Sequence, residues 1–124
     1  LAELLPAADV VILAVPLTDA TRRLADDAFL SRMRDGAVLV NVARGEVADT
    51  EALLKHSDRL ALVLDVTDPE PLPEGHPLWE KAALITPHAG GASAAFAPRI
   101  EALVRRQAER LIAGDRPENV VLRP

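Results

Sequence analysis

The stretch GAVLVNVARG, residues 36–45, decides the fold class of this chain. After its first glycine it continues as an apolar run without polar alternation and ends at Arg44 and a second glycine. Such a run is typical of a strand buried on both faces of a parallel sheet, because a half-exposed strand would alternate apolar and polar residues. The stretch therefore predicts a buried strand over residues 37–43, followed directly by an arginine.

Three more apolar runs predict further strands, and the residues between them predict helices. The strands cover residues 9–15, 60–66 and 83–87. The first helix begins at a cap on Asp26 or Asp27 and reaches residue 34, and the second begins at Asp49 or Thr50 and reaches residue 56. Strands that alternate with helices predict an α/β fold with a doubly wound parallel sheet that carries helices on both faces.

The last part of the chain breaks this alternation. Four prolines fall within residues 68–77, which predicts a stiff, non-helical connection. A long helix is predicted over residues 93–113, with Gly114 just past its end. No linker or repeat divides the sequence, so residues 1–124 are predicted to form one partial domain, with residues 93–124 as its C-terminal helix and tail.

Composition argues against several classes of function. The 124 residues carry a formal net charge of -5, with no basic stripe and few aromatic residues, so no nucleic-acid partner is expected. The absence of cysteine favours a cytoplasmic setting, and no apolar run approaches the roughly 20 residues that a membrane span requires. No His, Asp or Glu pair has metal-ligand spacing, so neither a metal nor a membrane is predicted as a partner.

Ionisable side chains follow three successive predicted strands, at the point where each strand ends. Arg44 follows the second strand and His88 follows the fourth. Asp65 closes the third strand, and Glu70 follows it. Because ligands bind beyond the carboxyl ends of the strands in open parallel sheets, we expect a cation, a carboxylate and an imidazole to share one edge of the sheet.

Such a trio suits the reduction of a 2-oxo acid. Arg44 can clamp a carboxylate through paired N–H donors and polarise the adjacent carbonyl group. His88 can protonate the carbonyl oxygen as a hydride reaches its carbon. Glu70, hydrogen-bonded to the other ring nitrogen, would orient the imidazole and favour its protonated form.

Each of these side chains also has a purely structural interpretation. Arg44 would then be a surface ion-pair residue, and Glu70 a solvated carboxylate in a turn. Asp65 and His88 would each cap a loop. Outside this set, His56 and His76 are expected to be exposed without a role, and Trp79 is expected to anchor the proline-rich loop on the core.

Four segments form a pattern when they are taken together. They are ADVVILAVPLT at 8–18, GAVLVNVARGEV at 36–47, LDVTDPEPLP at 64–73 and TPHAGG at 86–91. In this order and at this spacing they resemble the D-isomer-specific 2-hydroxyacid dehydrogenases. The resemblance implies a Rossmann-like fold, of which this chain would be the C-terminal half. It also implies hydride transfer between NAD or NADP and a small 2-oxo or 2-hydroxy acid.

The resemblance also implies roles for individual residues. The catalytic arginine, glutamate and acid/base histidine of the family correspond to Arg44, Glu70 and His88. The residues implied to bind the cofactor are Pro16, Thr21, Val42, Ala43, Arg44, Asp65, His88, Gly90 and Gly91. Of these, residues 42–44 would line the nicotinamide side, Asp65 would meet the nicotinamide end, and Pro16 would lie near the adenosine half.

The chain departs from the family's pattern in several places. Thr67 stands where an aromatic residue is frequent, Ala48 replaces a larger apolar residue, and Ser93 replaces the usual threonine. The family's glycine-rich phosphate loop, the residue that selects NAD or NADP, and the substrate domain have no counterpart here. Leu1 opens the chain within a stretch that reads as helical. We therefore expect a fragment that binds dinucleotide poorly alone, and a homodimer for the full-length protein.

Other functions fit parts of the sequence. A dinucleotide-sensing co-repressor of the same fold would keep all three catalytic residues, so turnover is what separates it from an enzyme. A receiver-like α/β module would place acidic clusters after the first strand, where this chain has an apolar segment around Pro16. Formate, phosphite and phosphoglycerate dehydrogenases resemble the pattern too, although formate-specific enzymes usually carry glutamine in place of Glu70. Glyoxylate, hydroxypyruvate and pyruvate are the candidate substrates.

Overall fold

The computed structural model describes residues 3–120, which fall into two compact units that divide after Gly90. The first unit contains a four-stranded parallel sheet in the order β1-β2-β3-β4. The strands are β1 at Val10–Leu13, β2 at Val38–Asn41, β3 at Ala61–Leu64 and β4 at Leu84–Ile85. The predicted α/β class with a Rossmann-like parallel sheet is confirmed.

Each strand is shorter than the apolar run that predicted it. After Asn41, the Val42 N–H still donates to the carbonyl of Leu13 in β1 at 3.1 Å, but the Ala43 N–H bonds to the Asn41 side chain instead of extending the ladder with β3, so β2 ends at Asn41. Beyond β1, Pro16 has no N–H to give to a sheet ladder. The apolar run thus predicts which residues are buried, but the length of a strand is set by how far its main-chain hydrogen bonds to the neighbouring strands continue.

Two short helices follow β1 and β2: α1 at Asp27–Ser31 and α2 at Thr50–His56. Asp26 caps α1 by accepting the Phe29 N–H at 2.8 Å, and Asp49 caps α2 by accepting the N–H groups of residues 51 and 52 at 3.0 and 3.1 Å. The predicted caps are therefore confirmed. α1 ends before the predicted residue 34, because the N–H groups of residues 32 and 33 bond only three residues back.

The core lies on one face of the sheet. Leu39 and Leu62 from the strands pack with Leu30 of α1 and Leu53 of α2, and all four are buried. The opposite face leaves Val10, Ile12 and Leu84 exposed by 51%, 62% and 52%. The described residues therefore cover one face of the sheet well, whereas helices were predicted on both.

The connection from β3 to β4 contains a helix that was not predicted, α3 at Leu78–Lys81. Leu78 is the residue that this helix buries in the core. Trp79, predicted to be the anchor, is instead 51% exposed, and its indole N–H donates to the carbonyl of Pro73 at 2.9 Å. Only one side of so short a helix can face the core, and that side carries Leu78.

The prediction of an exposed His56 is wrong. The side chain is buried between α1 and α2, with Nε2 lying 2.7 Å from Asp27 Oδ1. Its Nδ1 accepts the Arg59 Nε–H at 3.0 Å. Because both ring nitrogens have partners, the burial of this polar side chain is compensated, and the ring links the two helices. His76 is half-buried, and its Nδ1 accepts the Leu78 N–H at 3.2 Å.

The second unit is built on the long helix α4 at Phe96–Ile112, close to the predicted range, with Gly114 at φ 79° just past its end. Arg106 Nε lies 2.9 Å from Glu118 Oε2, which ties the segment after the helix back to it. The predicted helical start at residues 1–2 and the end of the predicted tail at residues 121–124 lie outside the described residues. No helix in the described part is long and apolar enough to cross a membrane.

Candidate active site

His88 and Glu70 form a hydrogen-bonded pair beyond the end of β4. The imidazole Nδ1 lies 2.7 Å from Glu70 Oε1, and each side chain is 42% exposed. His88 has a left-handed backbone with φ 52°, and its N–H donates to the carbonyl of Asp65 at 2.9 Å. A residue other than glycine keeps such a φ only where its surroundings hold it there. The pairing predicted from the sequence is present, and its catalytic role stays a prediction.

Asp65 holds the loop that carries His88. The residue is 8% exposed, and one carboxylate oxygen accepts both the Thr86 hydroxyl and the Ala89 N–H. The other oxygen accepts the Gly90 N–H at 2.7 Å. A Cβ at Gly90 would lie 2.8 Å from this second oxygen, so glycine permits the close approach. These contacts match the loop-capping interpretation of Asp65, and its predicted contact with the cofactor stays a prediction.

The surroundings lower the pKa of Asp65 below the ordinary aspartate value. The hydrogen bond from Thr86 is the largest cause, assisted by the N–H groups of Gly90 and Ala89 and by the nearby His88, while burial opposes the shift. Because folding lowers this pKa, the ionised carboxylate stabilises the fold above the ordinary aspartate range. That contribution is lost as the pH falls through the lowered value.

We expect Asp65→Asn to lower the free energy of unfolding by about 1–3 kcal/mol at neutral pH, because the new amide would leave an N–H of the loop without an acceptor. The gap between the two free energies should begin to narrow below about pH 4, where the aspartate of the unfolded chain takes up protons, and should close once the pH falls through the lowered pKa of the native carboxylate. Urea unfolding across this pH range measures the gap, and Asp19→Asn, at an exposed aspartate, is the control. A gap that is independent of pH would contradict the assignment.

Arg44 follows β2 and immediately precedes a 3₁₀ turn at Gly45–Val47. Its side chain is exposed, and the guanidinium Nη1 donates to the carbonyl of Ala43 at 2.6 Å. Within residues 3–120, none of the ion pairs involves Arg44. The surface ion-pair interpretation therefore lacks a partner in this part of the chain, and most of the guanidinium donors can serve an anionic ligand.

A cavity of about 550 Å³ opens at the carboxyl ends of β1 and β2. Pro16, Val42, Ala43 and Arg44 all line it. Val42 is 45% exposed, whereas the Ala43 side chain is buried. Thr21 does not line the cavity; its hydroxyl donates to the Pro16 carbonyl at 2.7 Å and so braces the loop. The cofactor residues predicted around β1 and β2 therefore meet at one cavity, except for Thr21.

A second cavity, of about 210 Å³, has Asp65, Glu70 and His88 in its lining. Because the four strands are parallel, the residues after β2, β3 and β4 lie along the same edge of the sheet as Arg44. The N–H of Gly90 is held at this edge by its hydrogen bond to the Asp65 carboxylate. Gly91 belongs to the second unit, and its role in binding the cofactor stays a prediction. In the described ranges, no group of three His, Cys, Asp or Glu residues could hold a metal ion.

Two polar residues near the site were missed by sequence reasoning. Thr86 bonds to Asp65, as described above. Asn41 is 1% exposed and bonds through its side chain to the backbone of Ala43 and Arg44. The signal for Asn41 is in the sequence: it is the single polar residue within the apolar run 37–43. A buried polar residue requires partners, which makes it a candidate for a structural or functional bond.

Comparison with known proteins matches residues 1–90 to the NAD binding domain of the D-isomer specific 2-hydroxyacid dehydrogenases. A glyoxylate reductase of Thermofilum pendens is 37% identical over 122 residues, which are 95% of this chain and 36% of the relative. The crystal structure of the TT0316 protein from Thermus thermophilus is 44% identical, with a TM-score of 0.82 over 98% of this chain and 40% of that protein.

A third relative was solved with a cofactor. It is a D-isomer specific 2-hydroxyacid dehydrogenase from Xanthobacter autotrophicus Py2, in complex with NADPH and MES. It is 34% identical, with a TM-score of 0.85 over 95% of this chain and 50% of that protein. The chain thus spans between 36% and 50% of the length of these three proteins. By its sequence match and its fold, it belongs to the D-isomer specific 2-hydroxyacid dehydrogenase family.

Proposed function

We propose that this chain supplies the acid/base part of the active site of a nicotinamide-dependent 2-hydroxyacid dehydrogenase. One observation carries the proposal: His88 Nδ1 lies 2.7 Å from Glu70 Oε1, on the sheet edge where Arg44 also lies. A cation that can bind a carboxylate and an oriented imidazole together suit the reduction of a 2-oxo acid. The glyoxylate reductase of Thermofilum pendens supports this class of substrate.

Arg44 would bind the substrate carboxylate. Its guanidinium presents a planar set of N–H donors, one of which already bonds to the Ala43 carbonyl. The remaining donors can form paired bonds to a carboxylate and polarise the carbonyl group beside it. Among the residues that the structure describes, no acidic side chain forms an ion pair with Arg44 and so competes for these donors.

His88 would hold the proton that the carbonyl oxygen receives. Because Nδ1 faces Glu70, Nε2 is the ring nitrogen left for the substrate. When the Nε2–H gives its proton to the carbonyl oxygen, the neutral imidazole keeps its Nδ1–H on Glu70 and so keeps its orientation. In the direction of oxidation, Nε2 takes the hydroxyl proton back.

The cavity at the ends of β1 and β2 would hold part of the bound NAD or NADP. Pro16 and Val42 give this cavity an apolar wall, and Arg44 gives it a cation. A bound dinucleotide supplies the hydride. The match to an NAD binding domain and the NADPH complex of the Xanthobacter protein support a nicotinamide dinucleotide of either kind.

The chain would act as the C-terminal part of a dinucleotide-binding domain within a longer protein, with residues 93–124 as its terminal helix and tail. The glyoxylate reductase relative extends well beyond the matched part, since the match covers 36% of it. Exposed Val10, Ile12 and Leu84 offer further residues an apolar sheet face to cover. We propose that the whole protein is a cytoplasmic homodimer that acts on glyoxylate, hydroxypyruvate or pyruvate.

The isolated 124 residues are expected to bind NADH only weakly. A glycine-rich turn at a helix N-terminus normally holds the pyrophosphate of a dinucleotide, and this sequence contains no such motif. A fluorescence titration of the purified chain with NADH measures the affinity, and the full-length protein is the positive control. A micromolar dissociation constant for the chain alone would contradict the expectation.

Oxidation of NADH and NADPH by the full-length protein tests the proposed function. Glyoxylate, hydroxypyruvate and pyruvate are the substrates, and acetone is the matched control because it replaces the carboxylate of pyruvate with a methyl group. We expect turnover with at least one oxo acid and none with acetone. Tight NADH binding without turnover would overturn the proposal and would favour a dinucleotide-sensing binding protein.

A further inference from the structure

We propose that Asn41 is a positioning residue that fixes the backbone from which the Arg44 guanidinium reaches the substrate. The inference rests on the proposed role of Arg44. Asn41 is the last residue of β2 and lies on the buried face of the sheet, where it is 1% exposed. An amide in such a place is unfavourable unless its donors and acceptor are bonded. The partners of Asn41 therefore matter for the structure around it.

Both side-chain partners of Asn41 lie in the loop that carries Arg44. The Nδ2–H donates to the carbonyl of Arg44 at 3.0 Å, and Oδ1 accepts the N–H of Ala43 at 3.0 Å. One buried side chain thus holds both the peptide N–H of Ala43 and the peptide carbonyl of Arg44. The core does not require an amide here, since buried neighbours such as Leu39 and Leu64 are apolar.

The main chain of Asn41 joins this loop to the other half of the site. Its carbonyl accepts the Asp65 N–H at 2.9 Å, and Asp65 in turn holds the loop of His88. The far end of the Arg44 loop is fixed as well, because Gly45 packs directly on the backbone of Thr67. Arg44 is therefore held between two fixed points, and only its side chain remains to be ordered when an anion binds.

Fixing the backbone of Arg44 before the substrate arrives lowers the entropic cost of binding a carboxylate in one orientation. Without the Asn41 amide, the backbone of residues 43 and 44 loses the two hydrogen bonds that this side chain makes to it. The guanidinium then samples directions that do not face the carbonyl carbon. A displacement of about 1 Å in a positioning group can lower kcat/KM by about 10²-fold, and because the proposed role of Arg44 is to bind the substrate carboxylate, the loss should appear mainly as a higher KM.

A double-mutant cycle in the full-length protein tests this inference. Asn41→Leu removes both side-chain bonds while keeping an apolar side chain in the core, and Arg44→Met removes the guanidinium. We expect Asn41→Leu to lower kcat/KM for the best oxo acid by about 10- to 100-fold, mainly through KM. In the Arg44→Met background, Asn41→Leu should cause almost no further loss of kcat/KM, because the guanidinium that Asn41 helps to position is absent.

Leu39→Ala is the matched stability control, since it alters the same strand and the same buried face two residues earlier. It should lower Tm without changing the KM of the folded enzyme. Equal KM values for Asn41→Leu and the unaltered protein, or fully additive effects with Arg44→Met, would overturn the inference. If Arg44→Met itself leaves kcat/KM unchanged, the proposed function of Arg44 fails instead, and the two failures are thereby distinguished.

Discussion

Replacing His88 with alanine is expected to lower kcat for oxo-acid reduction by about 10²- to 10⁴-fold, the range in which general acid catalysis contributes. The reason is geometric: His88 is the ring that Glu70 orients, with Nδ1 and Oε1 separated by 2.7 Å. The cofactor affinity should change far less, because the cavity proposed to hold the cofactor is lined by residues at the ends of β1 and β2 and not by His88. Steady-state kinetics together with an NADH titration separates the two effects.

His76→Gln is the matched control for this variant. His76 lies in the same unit, but its ring accepts the N–H of Leu78 and does not line either of the two cavities at the sheet edge. A glutamine can retain an acceptor for that N–H. The control should keep kcat within about twofold of the unaltered value. If the His88→Ala enzyme were as active as the control, the His88 imidazole could not be the general acid of the reaction.

Gly45→Ala is expected to destabilise the protein by about 3 kcal/mol or more. A Cβ at this position would lie 1.9 Å from the carbonyl oxygen of Thr67 and 2.7 Å from the nitrogen of Asp68. These are backbone atoms, so a side-chain rotation cannot relieve the overlap. The loop of Arg44 and the loop that leads to Glu70 would have to separate, which would also impair catalysis.

Gly75→Ala is the control for Gly45→Ala. Gly75 has φ 73° and no atom within 4 Å of a Cβ at that position. Its replacement therefore introduces only the backbone strain of a left-handed residue, about 1–2 kcal/mol. Urea unfolding measures both variants against the unaltered protein. Equal losses of stability would mean that the Gly45 contact with Thr67 is not a fixed feature of the fold.

Local signals predicted much of the fold. Asp26 and Asp49 cap their helices because each cap depends only on residues two or three positions along the chain. The strands follow from apolar runs that no other element type explains as well. The exact strand ends were not predictable in this way, because β2 ends where the Asn41 side chain takes over the Ala43 N–H.

Long-range contacts account for what the sequence did not reveal. His56 was expected to be exposed, but its burial depends on Asp27, which lies 29 residues earlier. Trp79 was expected to be the anchor, and the turn of α3 instead directs Leu78 to the core. A pattern within one segment cannot show which side of a short helix meets another segment.

The residues of the candidate site also include some that the sequence predicted and some that depend on long-range contacts. Arg44, Glu70 and His88 were predictable because parallel strands bring their carboxyl ends to one edge. The clamp of Asp65 on Thr86 and Gly90 was not, since it joins the ends of β3 and β4 across more than 20 residues. The candidates for a direct role are visible in the sequence, whereas the residues that hold them in place depend on the fold.

The most direct test is to follow the hydride itself. The full-length protein is supplied with NADH or NADPH that carries deuterium at both C4 positions, together with the best oxo acid, and the 2-hydroxy acid product is analysed by mass spectrometry. Hydride transfer from the nicotinamide should place one deuterium at C2 of the product, at a rate that falls by about 10²-fold or more in His88→Ala. A product without deuterium would contradict hydride transfer from the nicotinamide, and label transfer at an unchanged rate in His88→Ala would contradict the proposed role of His88.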